Sequence, residues 1–94
     1  MNSRKQVIGL AQSLASQHGP DGIRVNTLLP GGTQTAMAGD DPVVHDYIAG
    51  LHSLGRMATP AEIANAALFL VSSESSFVTG SAMIADGGLS IKLG

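Results

Sequence analysis

The sequence predicts an α/β fold in which helix, strand, helix, helix and strand follow one another around a short parallel sheet. Three observations carry this expectation. IRVNTLL, residues 23–29, is rich in β-branched residues, apolar on both faces apart from Arg24 and Asn26, and ends abruptly at PGG. ATPAEIANAALFLVSS, residues 58–73, repeats apolar residues at helical spacing behind a strong start signal. A second strand, Ala82–Ala85, follows two helices, and a helical crossover of that length makes the strands parallel.

The first helix rests on Val7, Ile8, Leu10, Ala11, Leu14 and Ala15, which recur at steps of three and four and share one face. Asn2 or Ser3 can cap it. Gly19 and Pro20 stop it, one tolerant of positive φ and the other unable to continue a helix. Strand 23–29 then runs into the loop PGGTQTAMAGD, rich in glycine and threonine. Asp41 and Pro42 open the second helix as N-cap and first helical residue, with Val44, Tyr47, Ile48 and Leu51 as its apolar stripe. In the third helix Thr59 and Glu62 form a capping box behind Pro60, and Ala58 can staple against Ile63. Ile63, Ala67, Leu70 and Val71 face one way, widened by Ala64 and Leu68. SSESS ends that helix, and VTGSAMIADGG reads as turn, strand and glycine turn.

Composition narrows the function. The chain has 94 residues, enough for one small domain, with 44% apolar and only 13% charged residues. That balance argues against disorder and for extensive buried surface. The net charge is −2 and the five Lys and Arg residues are scattered, so neither nucleic acid nor an acidic membrane is an expected partner. Cysteine is absent, which excludes disulfides and thiolate metal sites. The apolar run at 66–71 is too short to cross a bilayer, and a signal-peptide pattern is missing, so the expected location is cytoplasmic. One sum does not close. Two short parallel strands cannot shelter three apolar helix faces, so the segment reads as part of a larger sheet or as a chain completed by a partner.

Four stretches in order carry a resemblance over essentially the whole chain: Lys5, RVNTLLPGGTQT at 24–35, GRMATPAEIANAALFLVSSESSFVTG at 55–80, and ADGG at 85–88. Together they closely resemble the C-terminal part of the short-chain dehydrogenase/reductase family. The resemblance implies a Rossmann-type doubly wound parallel sheet, of which residues 1–94 supply the C-terminal part of a single NAD(P)-binding domain without its N-terminal half. It implies hydride transfer between NAD or NADP and a small-molecule carbonyl or alcohol, and a homo-oligomer. The family motif pairs a Tyr with a Lys four residues later on one helix face. The Tyr exchanges a proton with the substrate oxygen; the Lys lowers the Tyr pKa and holds the nicotinamide ribose.

Lys5 matches that lysine, and the tyrosine position falls on Met1. The catalytic serine and the glycine-rich nucleotide loop would lie upstream. Arg4 also departs from the pattern, which places a small residue there. Either Met1 is a start inside a longer coding region, or the boundary is misplaced; in both cases the 94-residue chain is expected to be inactive and to bind NAD(P)H weakly or not at all. The expected cofactor contacts are Lys5, Pro30, Gly31, Thr33 and Thr35. In the family the backbone at Thr33's position holds the nicotinamide carboxamide, and the residue at Thr35's position touches the carboxamide or diphosphate. The competing readings are a solvated helix lysine and a plain strand-to-helix turn.

The remaining polar residues read more simply. Asn26 satisfies a strand edge. His18, His45 and His52 are scattered surface histidines rather than metal ligands, although His45 and His52 share a helical face. Asp40 and Asp41 serve helix capping, and Asp86–Gly87–Gly88 is a turn that the family places near a subunit contact. An alternative from another class is a truncated, non-catalytic relative acting as an oligomerisation or interaction module.

Overall fold

The computed structural model describes residues 3–34 and 39–93. Helix α1, Ser3–His18, runs into a single 3-10 turn at Gly19–Asp21. Gly19 does not take positive φ; the left-handed residue that reverses the chain is Gly22, at φ 76°. Pro20 explains the difference, because its fixed φ suits the tighter turn and defers the reversal.

Strand β1 covers only Thr27–Pro30, four residues later in its start than the sequence predicts. Residues 23–26 carry no regular structure, and the chain opposite them is still turning at Gly80. Beyond one main-chain bond, from the Gly80 N–H to the Val25 carbonyl at 2.8 Å, side chains therefore take the place of the ladder. Asn26 donates from Nδ2 to the Val78 carbonyl at 2.9 Å and accepts the Ser81 N–H at 3.0 Å, which is the strand-edge role expected of it. Thr79 Oγ1 accepts the Val25 N–H, and Arg24 spans the Ser72 and Val78 carbonyls and the Ser75 hydroxyl.

Helix α2, Pro42–Gly50, starts as predicted, with the Asp41 carboxylate accepting the Val43 N–H at 2.9 Å. Helix α3, Pro60–Val71, carries the full capping box. Leu70 is its buried residue, whereas Val71 is 77% exposed, contrary to the predicted face. Adjacent helical residues lie about 100° apart, and a two-strand sheet is too narrow to cover both. Strand β2, Ala82–Ala85, has the predicted bounds and pairs parallel with β1, Thr27 opposite Ala82 and Pro30 opposite Ala85. Beyond it a short helix α4, Leu89–Leu93, was not foreseen; Asp86 starts it by accepting the Gly88 and Ser90 N–H groups, each at 3.0 Å.

Among the described residues the buried apolar ones are few: Ala11, Ala15, Met57 and Leu70. Val7 and Leu10, on the predicted inner face of α1, are 53% and 62% exposed. They border an open groove between α1 and β1 whose floor includes Thr27, with a buried hydroxyl that finds no partner. The chain measures 49 × 30 × 22 Å with a radius of gyration of 15.3 Å. A self-contained chain of this length has a radius of about 12 Å. Its accessible surface, 6380 Å², exceeds by roughly a quarter the value expected for its mass. The apolar helix faces are not enclosed.

Candidate functional site

The C-terminal ends of the two strands converge on a cleft of about 150 Å³. Four segments wall it: Gly31–Gly32 after β1, the stretch from His52 to Ala58 between α2 and α3, Glu62 and Ile63 in the first turn of α3, and Ala85–Gly87 at the end of β2. Open α/β sheets bind their ligands at this end of the strands.

Gly31 continues the sheet, donating its N–H to the Ala85 carbonyl at 3.3 Å. A Cβ at Gly31 would approach both Asp86 and the His52 ring to 2.9 Å, so only glycine fits. One residue on, the loop pairs with the approach to α3: Ala58 donates to the Gly32 carbonyl and accepts the Gln34 N–H, both at 2.8 Å. Thr33 is bridged to Ala58 by this pattern, and its hydroxyl donates to the Gly31 carbonyl at 3.3 Å. In such a parallel bridge the residue between the two bonds turns its own N–H and C=O the other way. Thr33 thus offers a donor and an acceptor side by side, turned from Ala58.

His52 is the main departure from expectation. It is 2% exposed, not a surface histidine. Its Nδ1 lies 2.8 Å from the Ile48 carbonyl, and its Nε2 accepts the Gly32 N–H at 3.0 Å. The sequence signal was present, since His52 stands four residues beyond Ile48 and continues the α2 stripe past the helix end. His45 is half-buried and sits 2.7 Å from the Gly39 carbonyl. No group of three or more His, Asp or Glu among the described residues could hold a metal.

Charge at the cleft is paired. Arg56 forks onto Glu62, Nη1 to Oε1 at 2.7 Å and Nη2 to Oε2 at 2.8 Å. That bond, with the Thr59 N–H, lowers the Glu62 pKa to about 2. Arg56 is the partner that the capping-box reading missed. Asp86 is buried; desolvation pushes its pKa up, but the Ser90 hydroxyl and N–H, the Gly88 N–H and the charge of Arg4 outweigh that and leave it lowered. The influence of Arg4 puts the first turn of α1 within electrostatic reach of the β2 end.

Of the predicted site residues, Gly31 lines the cleft, while Pro30 closes β1 and Thr33 follows on the same loop. Lys5 is exposed on α1 and is not among the residues lining the cleft. Thr35, like Met1, lies outside the described residues.

Residues 1–90 match the family model described as enoyl-(acyl carrier protein) reductase. The chain belongs to the short-chain dehydrogenase/reductase family. Among its short-chain dehydrogenase/reductase relatives is a 2,5-dichloro-2,5-cyclohexadiene-1,4-diol dehydrogenase of Sphingobium indicum, 40% identical over 94% of this chain and 37% of that protein. The 3-oxoacyl-[acyl-carrier protein] reductase of Brucella melitensis superimposes with a TM-score of 0.85 at 44% identity, over 90% of this chain and 32% of that one. A 4-hydroxyisoleucine dehydrogenase complexed with NADH matches at a TM-score of 0.84 and 29% identity, over 95% of this chain and 38% of its own. The fold is therefore the Rossmann-type α/β fold of short-chain dehydrogenases, present as a partial domain. The chain spans between about a third and two-fifths of these relatives' lengths. No described helix is long and apolar enough to cross a membrane.

Proposed function

We propose that this chain is the C-terminal portion of an NAD(P)-dependent short-chain oxidoreductase, supplying the nicotinamide side of the cofactor site and inactive alone. The observation that carries the reading is the Gly31–Thr33 loop at the C-terminal end of β1, where the bridge to Ala58 leaves the Thr33 N–H and C=O turned together away from Ala58. A nicotinamide carboxamide has one donor group and one acceptor group, so this main-chain pair matches it in kind. When bound, the nicotinamide would give a hydride to a carbonyl carbon in its reduced form, or take one from an alcohol carbon in its oxidised form. Pro30 and Gly31 set the direction of the loop, and Thr35 matches the family position that touches the carboxamide or diphosphate. Lys5 contributes the positive charge that holds the nicotinamide ribose; in the family the same charge lowers the pKa of a tyrosine phenol four residues earlier. Met1 stands at that phenol's position, so the chain lacks the group that would pass a proton to the substrate oxygen.

Calorimetric titration with NADH and with NADPH tests this, together with absorbance assays on small aldehydes and ketones. Expected are affinities weaker than micromolar and no turnover, with amide shifts at Gly31–Thr33 when millimolar NADH is added to labelled protein. Micromolar affinity, or turnover, would overturn the inactive reading; loop amides unmoved by NADH would overturn the cofactor role.

The exposed apolar face of α1 favours a second reading, an interaction module that pairs with itself or with longer relatives. Reading the coding strand upstream of Met1 separates the two. An in-frame glycine-rich segment and a longer intact mass support the oxidoreductase; an in-frame stop codon supports the module.

A further inference from the structure

We propose that His52 is the positioning residue of the Gly31–Thr33 loop, holding the Gly32 amide so that Thr33 presents its main chain outward. This rests on the reading of that loop as the nicotinamide side of a cofactor site. A carbonyl can only accept, so the 2.8 Å contact with the Ile48 oxygen places a hydrogen on Nδ1. The contact with the Gly32 N–H at 3.0 Å requires a bare lone pair on Nε2. The ring is therefore held as the neutral Nδ1–H tautomer, fixed at both nitrogens.

The ring also shapes the loop from outside. A Cβ at Gly31 or Gly32 would meet it at 2.9 or 3.0 Å, so the ring edge occupies the space that side chains there would fill. Gly32 is thus gripped at both ends: its N–H by His52, its carbonyl by the Ala58 N–H. The Gly32 carbonyl belongs to the same peptide plane as the Thr33 N–H. Fixing Gly32 at both ends therefore fixes the direction in which that N–H points. The segment carrying the ring is itself anchored to the β2 end, where the Leu54 N–H bonds the Gly87 carbonyl at 2.9 Å. His52 therefore couples the two strand ends to the loop.

Long-range ¹H–¹⁵N spectra of the full, labelled chain read the tautomer directly. Protonated Nδ1, bare Nε2 and a scalar coupling from Nε2 to the Gly32 nitrogen are expected; a protonated Nε2 overturns the proposal without any variant. His52→Leu removes the acceptor, whereas the side-chain carbonyl of His52→Gln can still reach the Gly32 N–H. Gly32 amide exchange should quicken about tenfold in the leucine variant, the loss expected for an unmade buried hydrogen bond, and stay near the parent rate in the glutamine variant. NADH affinity, followed at the Thr33 amide, should fall several-fold in His52→Leu and recover in His52→Gln. An unchanged Gly32 exchange rate in the leucine variant, or equal NADH affinities in the two variants, overturns the proposal. If tautomer and exchange behave as expected but NADH leaves the parent Thr33 amide unmoved, the cofactor reading of the loop fails while the hydrogen-bonded clamp stands.

Discussion

Individual glycines divide into those required by space, those required by dihedral angle and those required by neither. Gly31 is the first kind, because a methyl group there would press on the Asp86 backbone as well as the His52 ring. Gly31→Ala should cost about 1–3 kcal/mol, the range for overpacking, and shift the His52 and Asp86 resonances. Gly22 is the second kind: space around it is open, but its φ is 76°. Gly22→Ala should cost about 1 kcal/mol through left-handed strain alone. Gly19 has open space and no positive φ, so Gly19→Ala should be neutral or slightly stabilising. Urea unfolding of the three variants gives the order; a Gly19 variant as unstable as the Gly31 variant would refute the distinction.

Among the elements, α3 has the most completely specified start. Thr59 accepts the Glu62 N–H at 3.2 Å, and Glu62 accepts the Thr59 N–H at 3.0 Å while gripping Arg56. Thr59→Ala should lower stability by about 1 kcal/mol, as for other lost N-caps. Glu62 adds a pH dependence whose sign follows from its depressed pKa. Between the ordinary carboxylate value of 4.5 and about 2 the unfolded chain binds more protons at this site than the folded one. Its contribution is fully present above the unfolded value and is lost as pH falls through the folded one. The Glu62 carboxyl ¹³C shift should titrate near 2, and Glu62→Gln should flatten the acid limb of stability in that window. A midpoint near 4.5 would mean that the Arg56 fork does not persist in solution.

Taken whole, the molecule carries more surface than its mass warrants, with Val7, Leu10, Val43, Leu68, Val71 and Phe77 all strongly exposed. Surface of that kind drives association. Sedimentation of the purified chain should show concentration-dependent self-association, and its thermal transition should be broad. A sharply melting monomer at all concentrations would contradict the idea that these faces need covering. Substituting Leu10→Lys on α1, away from the cleft, should reduce association while leaving the Gly32 amide exchange rate unchanged.

What the sequence determined by itself was local. The Thr59–Glu62 box, the Asp41–Pro42 start and the Ala82–Ala85 strand all appear where the residues imply, because caps and short periodic patterns act within a few positions. The resemblance to short-chain dehydrogenases was equally readable, since it rests on ordered motifs. Tertiary structure alone decided the rest. β1 begins at Thr27 because its partner strand begins at Ala82 and a turn lies opposite residues 23–26. His52 is buried because the loops after β1 and β2 close over it, a coincidence of segments twenty and thirty-five residues away that no local pattern encodes. Hydrogen-bond partners and burial are properties of what arrives from elsewhere in the chain, and only the folded molecule brings it there.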